Sequence, residues 1–219
     1  MRGNVSNDDS KFERSFGNVA AVSGRPTRPA LHERYDRRQA EVVLDAARVF
    51  AARGYDQTSV PQLAAELGLA AGSLYHYFGG KEQLLIAICD QLMDPLLEQA
   101  EALLEEPREP AEQLRALVRL WVEHVVAHRD HMLVFQQERH VIEHGPQWKQ
   151  VRDDRKAFER LVESVLDRTR AETAAPALDP RLALSALLGM VNHTAQWFRP
   201  RGRLTPDQVA DGYADLLLH

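Results

Sequence analysis

The sequence predicts an all-α protein: a three-helix unit with a helix-turn-helix layout followed by a larger helical unit, about nine helices in all. Three observations carry that expectation. Apolar residues recur at helical spacing along most of the chain, and alternating apolar runs are few. Glycine and proline are scarce after residue 35. Residues 58–84 set two short helical patterns on either side of Gly68, the layout of a device that reaches into DNA. At 219 residues, 44% hydrophobic and 27% charged, the chain suits one large or two small globular domains with a sizeable core.

Residues 1–33 mix Asn, Asp, Ser, Gly, Pro and Arg without periodicity, the composition of a disordered arm. Arg25, Arg28, Arg34, Arg37 and Arg38 outweigh Glu33 and Asp36. Such an arm can enter a minor groove beside the main contact, or be a solvated tail with no role. Residues 34–85 form the expected DNA-binding domain. Its first helix spans about 36–53, with Val43, Ala46, Ala47 and Phe50 inward and Gly54 ending it. Thr58 is a candidate N-cap for the second, whose stripe is Val60, Leu63, Ala64 and Leu67. Gly68 stands where a left-handed residue is wanted. In the third helix, about 70–78, only Leu74 and Phe78 look like core, so Ser73, Tyr75, His76 and Tyr77 face outward. Side chains of that kind suit phosphate and base-edge contacts. About 45 residues bury too little apolar area to stand securely alone.

This stretch resembles the helix-turn-helix signature of the TetR family of transcriptional regulators. The resemblance runs from Arg37 to Leu84 through Ala47, Phe50, Gly54, Thr58, Val60, Ala64, Gly68, Gly72, Leu74-Tyr75-His76-Tyr77-Phe78 and Lys81-Glu82. It implies a DNA-facing set of Arg37, Arg38, Thr58, Ser59, Ala71, Gly72, Ser73, Tyr75, His76, Tyr77 and Lys81. Tyr75, Tyr77, Thr58 and Lys81 are then expected to hold phosphates, and Ser73 and His76 to read bases. Ala71 and Gly79-Gly80 depart from the usual residues of the family, so more of the readout falls to DNA shape.

Residues 86–219 are the expected ligand-binding and dimerisation domain. A helix from Lys81 to about Leu104 carries Leu85, Ile88, Leu92 and Leu96, with Pro95 as a kink, and joins the two parts. After Pro107 and Pro110 comes a helix to about His128 with Leu114, Leu117, Val118, Trp121, Val122 and Val125 inward. Further helices are expected over about 130–140, 147–172, 179–198 and 206–218, with 173–180 a loop. The stretch Leu182–Val191 is apolar nearly all round, so both sides need cover, and the same helix of a second copy supplies it. The expected homodimer contact is Leu184, Leu187, Leu188, Val191, Tyr213, Leu216 and Leu217.

Net charge is −5, divided as +2 over residues 1–81 (11 Lys/Arg, 9 Asp/Glu) and −7 over 82–219 (16 and 23). The asymmetry favours DNA at the N-terminal part, where hydroxyls and helix N-termini supplement few full charges. The single cysteine, Cys89, permits no internal disulfide and reads as a small buried apolar residue in a reducing cytoplasm. No run is long enough to span a membrane and no apolar signal core opens the chain. No nucleophile elbow, phosphate loop or paired-cysteine site appears, so neither catalysis nor a cofactor is expected.

A small-molecule inducer is expected in the second domain, lined by Leu92, Leu96, Trp121, His124, Phe135, Phe158, His193, Gln196, Trp197 and Arg199. The run Trp197–Thr205 is also similar to TetR-family repressors of lipid, steroid or aromatic-acid breakdown, which implies an acyl-coenzyme A thioester. Lys149, Arg152, Arg155, Lys156 and Arg160, or Arg199, Arg201 and Arg203, are the candidate phosphate-holding cations; the alternative is a solvated face. His124 with His128, and His140 with His144, stand four apart as a metal pair would, but no third ligand is fixed and no metal site is assigned. Two other readings stay open: a metal-responsive regulator using those pairs, and a helical interaction protein that does not use DNA.

Overall fold

The computed structural model describes residues 29–172 and 179–218. Arg25 and Arg28 of the arm, and most of the 173–180 loop, lie outside the described residues. Every regular element among the described residues is helical: α1 Pro29–Arg53, α2 Val60–Glu66, α3 Ala71–Phe78, α4 Lys81–Glu105, α5 Pro110–Ala127, α6 Arg129–Gln137, α7 Arg139–Ile142, a 3₁₀ turn Pro146–Trp148, α8 Lys149–Glu172, α9 Pro180–Trp197 and α10 Pro206–Leu218. The chain divides into two compact units, one ending at Gln91 and the other beginning at Leu92.

In the N-terminal unit, α1 starts at Pro29, seven residues before the expected Asp36. Val43, Ala46, Ala47 and Phe50 of α1, Leu63 and Ala64 of α2, Leu74 and Phe78 of α3, and Leu84, Leu85 and Ile88 of α4 are buried. The α1–α2 corner is a polar knot. Gly54 N–H donates to Phe50 O at 2.7 Å, and Thr58 N–H to Tyr55 O at 3.1 Å. The Tyr55 ring meets Phe50 edge-on at 5.3 Å.

The cap of α2 is Ser59, not Thr58. Ser59 Oγ accepts from Gln62 N–H while Gln62 Oε1 accepts from Ser59 N–H, a reciprocal capping box. Thr58 is buried and donates its hydroxyl to Gly54 O at 2.7 Å. Between α2 and α3, Gly68 has φ +63°, and Leu69 N–H closes back onto Ala64 O at 2.8 Å. No atom crowds the position where a Cβ would stand, so this glycine answers a backbone requirement, not a lack of space. Gly79, at φ +76°, ends α3 in the same manner.

In the C-terminal unit α5 is the central helix, and α8, α9 and α10 pack on it. Its expected inward residues, Leu114, Leu117, Val118, Trp121, Val122 and Val125, are all buried. Arg115 pairs with Asp215 and Arg119 with Asp211, laying α10 along α5. Gln113 Nε2 donates to Leu104 O and Glu106 O, closing the end of α4. α4 continues through Pro95.

The helix expected over 130–140 is two. Glu138 leaves helical geometry at ψ 17°, ending α6, and its carbonyl accepts from Val141 and Ile142 N–H to start α7.

Candidate nucleic-acid interface and ligand-bearing unit

The recognition helix α3 is held from beneath by Leu74 and Phe78, both without solvent exposure. Four positions between and before these anchors give the outer face. Ala71, Gly72, Tyr75 and His76 are exposed, Tyr75 at 51%, while Ser73 and Tyr77 are half-buried. α1 braces this face from behind. Tyr35 packs at a tilt against Tyr77 at 5.0 Å between centroids and meets His76 edge-on at 6.3 Å. Buried Gln39 donates its amide N–H to Tyr77 O at 3.1 Å. Tyr75 and His76 therefore project from a fixed platform, and Tyr77 belongs partly to the platform itself. Arg37 is exposed, while Arg38 pairs with Glu41 at 3.1 Å.

Two of the expected phosphate holders are turned inward. The Thr58 hydroxyl is spent on Gly54 O, so its side chain cannot face a duplex. Lys81 Nζ donates to Tyr55 O at 2.8 Å and Thr58 O at 3.1 Å, and sits 4.0 Å from the Tyr55 ring centroid. Ser59 is exposed, but its hydroxyl serves the capping box. Sequence reasoning missed Tyr35, Gln39 and Tyr55. The contacts of Gln39 and of Lys81 span 38, 26 and 23 residues, which no local period reveals.

The expected ligand set separates into an inner and an outer group. Leu92, Leu96, Trp121, His124, Phe135 and Phe158 are buried. Trp121 meets Phe158 edge-on at 4.8 Å. His124 Nε2 donates to Leu92 O at 2.8 Å, so this ring carries its proton on Nε2. Burial, and next the neighbouring His128, lower the His124 pKa to about 4, leaving the ring neutral. His193, Gln196, Trp197 and Arg199 are exposed instead. Gln196 bonds Gln136 of α6, and Arg199 bonds the carbonyls of Gln196 and Phe198.

The cations of α8 are largely engaged within their own unit. Lys149 pairs with Asp153, Arg152 holds Ile142 O and Gly145 O, and Arg155 pairs with Glu143. The Arg155 hydrogen bond, outweighing desolvation, holds the Glu143 carboxyl below its usual range. Lys156, Arg160, Arg201 and Arg203 are exposed. Both histidine pairs close on the backbone. His128 stacks on His124 at 4.1 Å and donates from Nδ1 to His124 O, while His144 donates from Nδ1 to His140 O. Cys89 is fully buried, and burial, with Asp90 adding, pushes its thiol well above the usual range.

On α9 the buried stripe is Ala183, Leu187, Val191, Thr194 and Ala195. Leu187 and Val191 are thus part of the protomer's own core, a correction to the expected dimer contact, because they point toward the helices that carry α9. Its outer stripe is Leu182, Ser185, Gly189, His193 and Trp197, with Leu182 at 56% exposure and Trp197 at 40%. Leu184 and Leu188 flank that stripe, half-buried. On α10, Leu216 is 71% exposed, Leu217 is half-buried, and Tyr213 shares its hydroxyl with Thr194 at 3.0 Å.

Comparison with known proteins agrees with this geometry. Residues 43–88 match the family model described as bacterial regulatory proteins, tetR family, and residues 107–219 match the tetracyclin repressor-like C-terminal domain. The HTH-type transcriptional repressor KstR2 of Mycobacterium tuberculosis is 28% identical over 182 residues, 83% of this chain and 91% of that protein. The solved structure of this ketosteroid transcriptional regulator superposes with a TM-score of 0.76 at 26% identity, over 90% of this chain and 96% of that one. AibR, solved in complex with isovaleryl coenzyme A and operator DNA, gives 0.72 at 30% identity, over 83% of this chain and 98% of that chain. PfmR, a TetR family regulator of Thermus thermophilus, gives 0.71 at 30%, over 81% and 96%. With both units matched and α3 exposing Tyr75 and His76 from a braced platform, the chain is a helix-turn-helix transcriptional regulator and belongs to the TetR family.

Proposed function

We propose that the protein is a homodimeric repressor that occupies operator DNA and is released by a small-molecule inducer of the acyl-coenzyme A class, without catalysing a reaction. The carrying observation is α3: Tyr75 and His76 stand exposed on a helix fixed by two fully buried anchors and by Gln39. Exposed aromatic rings with polar tips suit phosphate and base-edge contacts far better than they suit a plain solvated surface. In this reading residues 34–85 bind the duplex and residues 86–219 bind inducer and partner. Of the arm expected over residues 1–33, residues 29–33 belong to α1 and residues 1–28 lie outside the described residues. The site of action is the cytoplasm, where the DNA is, and no described helix is long and apolar enough to cross a membrane.

The inducer class is carried over from relatives: AibR was solved with isovaleryl coenzyme A and operator DNA together, and KstR2 is a ketosteroid regulator. Trp197, His193 and the exposed Arg201 and Arg203 supply an aromatic wall and cations suited to such a thioester. The inner group from Leu92 to Phe158 must open for an acyl chain to enter. An inducer carries the population from 1:99 to 99:1 when it prefers the released state by about 10⁴ in affinity. The metal-responsive alternative is disfavoured because in each histidine pair one ring nitrogen is already given to a backbone carbonyl, and His124 gives a second to Leu92.

Selection of duplexes from a random pool, followed by titration with isovaleryl-coenzyme A and longer acyl thioesters, tests the proposal. One palindromic duplex class with release by a thioester is expected. Failure to retain any duplex at low ionic strength refutes DNA recognition. Retention unmoved by every thioester refutes the inducer class alone.

A further inference from the structure

We propose that Lys81 is a positioning residue for DNA binding, a clasp that closes the helix-turn-helix, and not a phosphate contact. The inference rests on the DNA-binding reading above. Its ammonium has three protons to give. Two go to carbonyls, Tyr55 O at 2.8 Å and Thr58 O at 3.1 Å, and the charge lies 4.0 Å from the Tyr55 ring centroid. The side chain is half-buried, so the charge is directed into the corner and not out to solvent.

The placement of the two ends gives the clasp its purpose. Thr58 directly precedes Ser59, the cap of α2, whereas Lys81 is the first residue of α4, just past Phe78 and the Gly79 cap of α3. The contact therefore joins the entry of the helix-turn-helix to its exit and encloses residues 59–80 in a closed loop. α2 and α3 are only 7 and 8 residues long, too short to hold their directions by their own hydrogen bonds. The glycines at 68 and 79 supply turns, not stiffness. Fixing both ends to one ammonium removes the freedom of α3 to rotate about Gly79, while Gln39 holds its last turn from the other side.

Lys81→Met keeps the aliphatic stem and removes the charge and both donors. Its affinity for a duplex selected by the wild-type protein is measured against salt, at a temperature where circular dichroism shows the variant folded. Affinity lower by tenfold or more, with an unchanged slope of log K against log salt, is the expected result. A slope shallower by about 0.9 would mean a neutralised phosphate and overturn the proposal. Unchanged affinity in the folded variant overturns it too, because Lys81 would then serve stability alone. On the wild-type protein, ¹⁵N-lysine spectra give a second measurement, independent of the variant. The Lys81 ammonium protons should exchange slowly in the free protein and stay unmoved by duplex. Signals that appear only with duplex would refute the clasp. Should wild type retain no duplex, DNA recognition itself fails, and the free-protein spectrum still decides whether the clasp exists.

Discussion

α3 and α9 both leave large side chains in water, yet they do so differently. On α3 the exposed groups are Tyr75 and His76, rings that end in hydrogen-bonding atoms, and the apolar residues beneath them are fully buried. On α9 and its neighbour α10 the exposed groups include Leu182 and Leu216, whose side chains have no hydrogen-bonding atom to offer water. A helix that shows polar tips over a rigid floor is matched to a wet, charged partner such as a duplex. A helix that shows leucine beside Ser185 and Gly189 is matched to a dry partner, and we propose that a second copy of α9 is that partner. The comparison teaches that exposure alone does not identify a partner; the chemistry of the exposed atoms does.

The largest way to break this contrast is at the floor of α3. Phe78→Ala should cost about 3–5 kcal/mol, since a fully buried ring leaves a cavity. Calorimetry should then show loss of the N-terminal transition with the C-terminal one retained. A variant with intact melting would mean that the platform is not what fixes the readers.

Acid separates the core of the unit that carries α9 from its surface. His124 is held neutral with its pKa at about 4, against about 6.5 when unfolded. The unfolded chain therefore binds more protons between those values, and stability is full above about pH 6.5 and falls as pH drops toward 4. The loss attributable to this ring is of the order of 3 kcal/mol, from 1.36 kcal/mol per pKa unit. Urea titrations of wild type and His124→Gln at pH 7 and pH 4.5 check it. Equal pH dependence in the two proteins would contradict the assignment.

On the surface, Leu216→Glu should leave protomer stability within about 0.5 kcal/mol because the side chain is already exposed. It should nevertheless weaken self-association by about 100-fold, near 2.7 kcal/mol, which sedimentation at several concentrations measures. An undisturbed dimer would move the contact elsewhere.

The smallest effects belong to the readers themselves. His76→Ala should relax preference at a single base position by about 1–3 kcal/mol, whereas Tyr75→Phe should weaken every duplex alike by about 1 kcal/mol. Binding across a set of single-base operator variants distinguishes them. A uniform loss from His76→Ala would remove it from the readout.

Much of the helix-turn-helix was legible because its signals are local. Gly68 demanded a left-handed turn, Leu74 and Phe78 stood one turn apart as anchors, and Tyr75 and His76 were left outward by elimination, whereas Tyr77 is half-buried against Tyr35. The cap was misplaced by one residue although its sign was present: Ser59 and Gln62 stand three apart with Pro61 between, the pattern of a capping box. On α9 an apolar run without a clear period concealed which leucines face the protomer. Leu187 and Val191 face inward and Leu182 outward, a division set by the directions from which α5 and α8 approach.

By itself the sequence determined the helical class, the turn at Gly68, the anchors of the recognition helix and the excess apolar surface of α9, because each follows from spacing along one helix or from the conformational needs of one residue. The tertiary structure alone decided what Lys81, Thr58 and Gln39 do. Each is a polar side chain whose partner is a backbone carbonyl, and in the cases of Lys81 and Gln39 that carbonyl is distant in the chain. A carbonyl is present at every residue and leaves no mark in the sequence, so only the folded path reveals which one a donor meets.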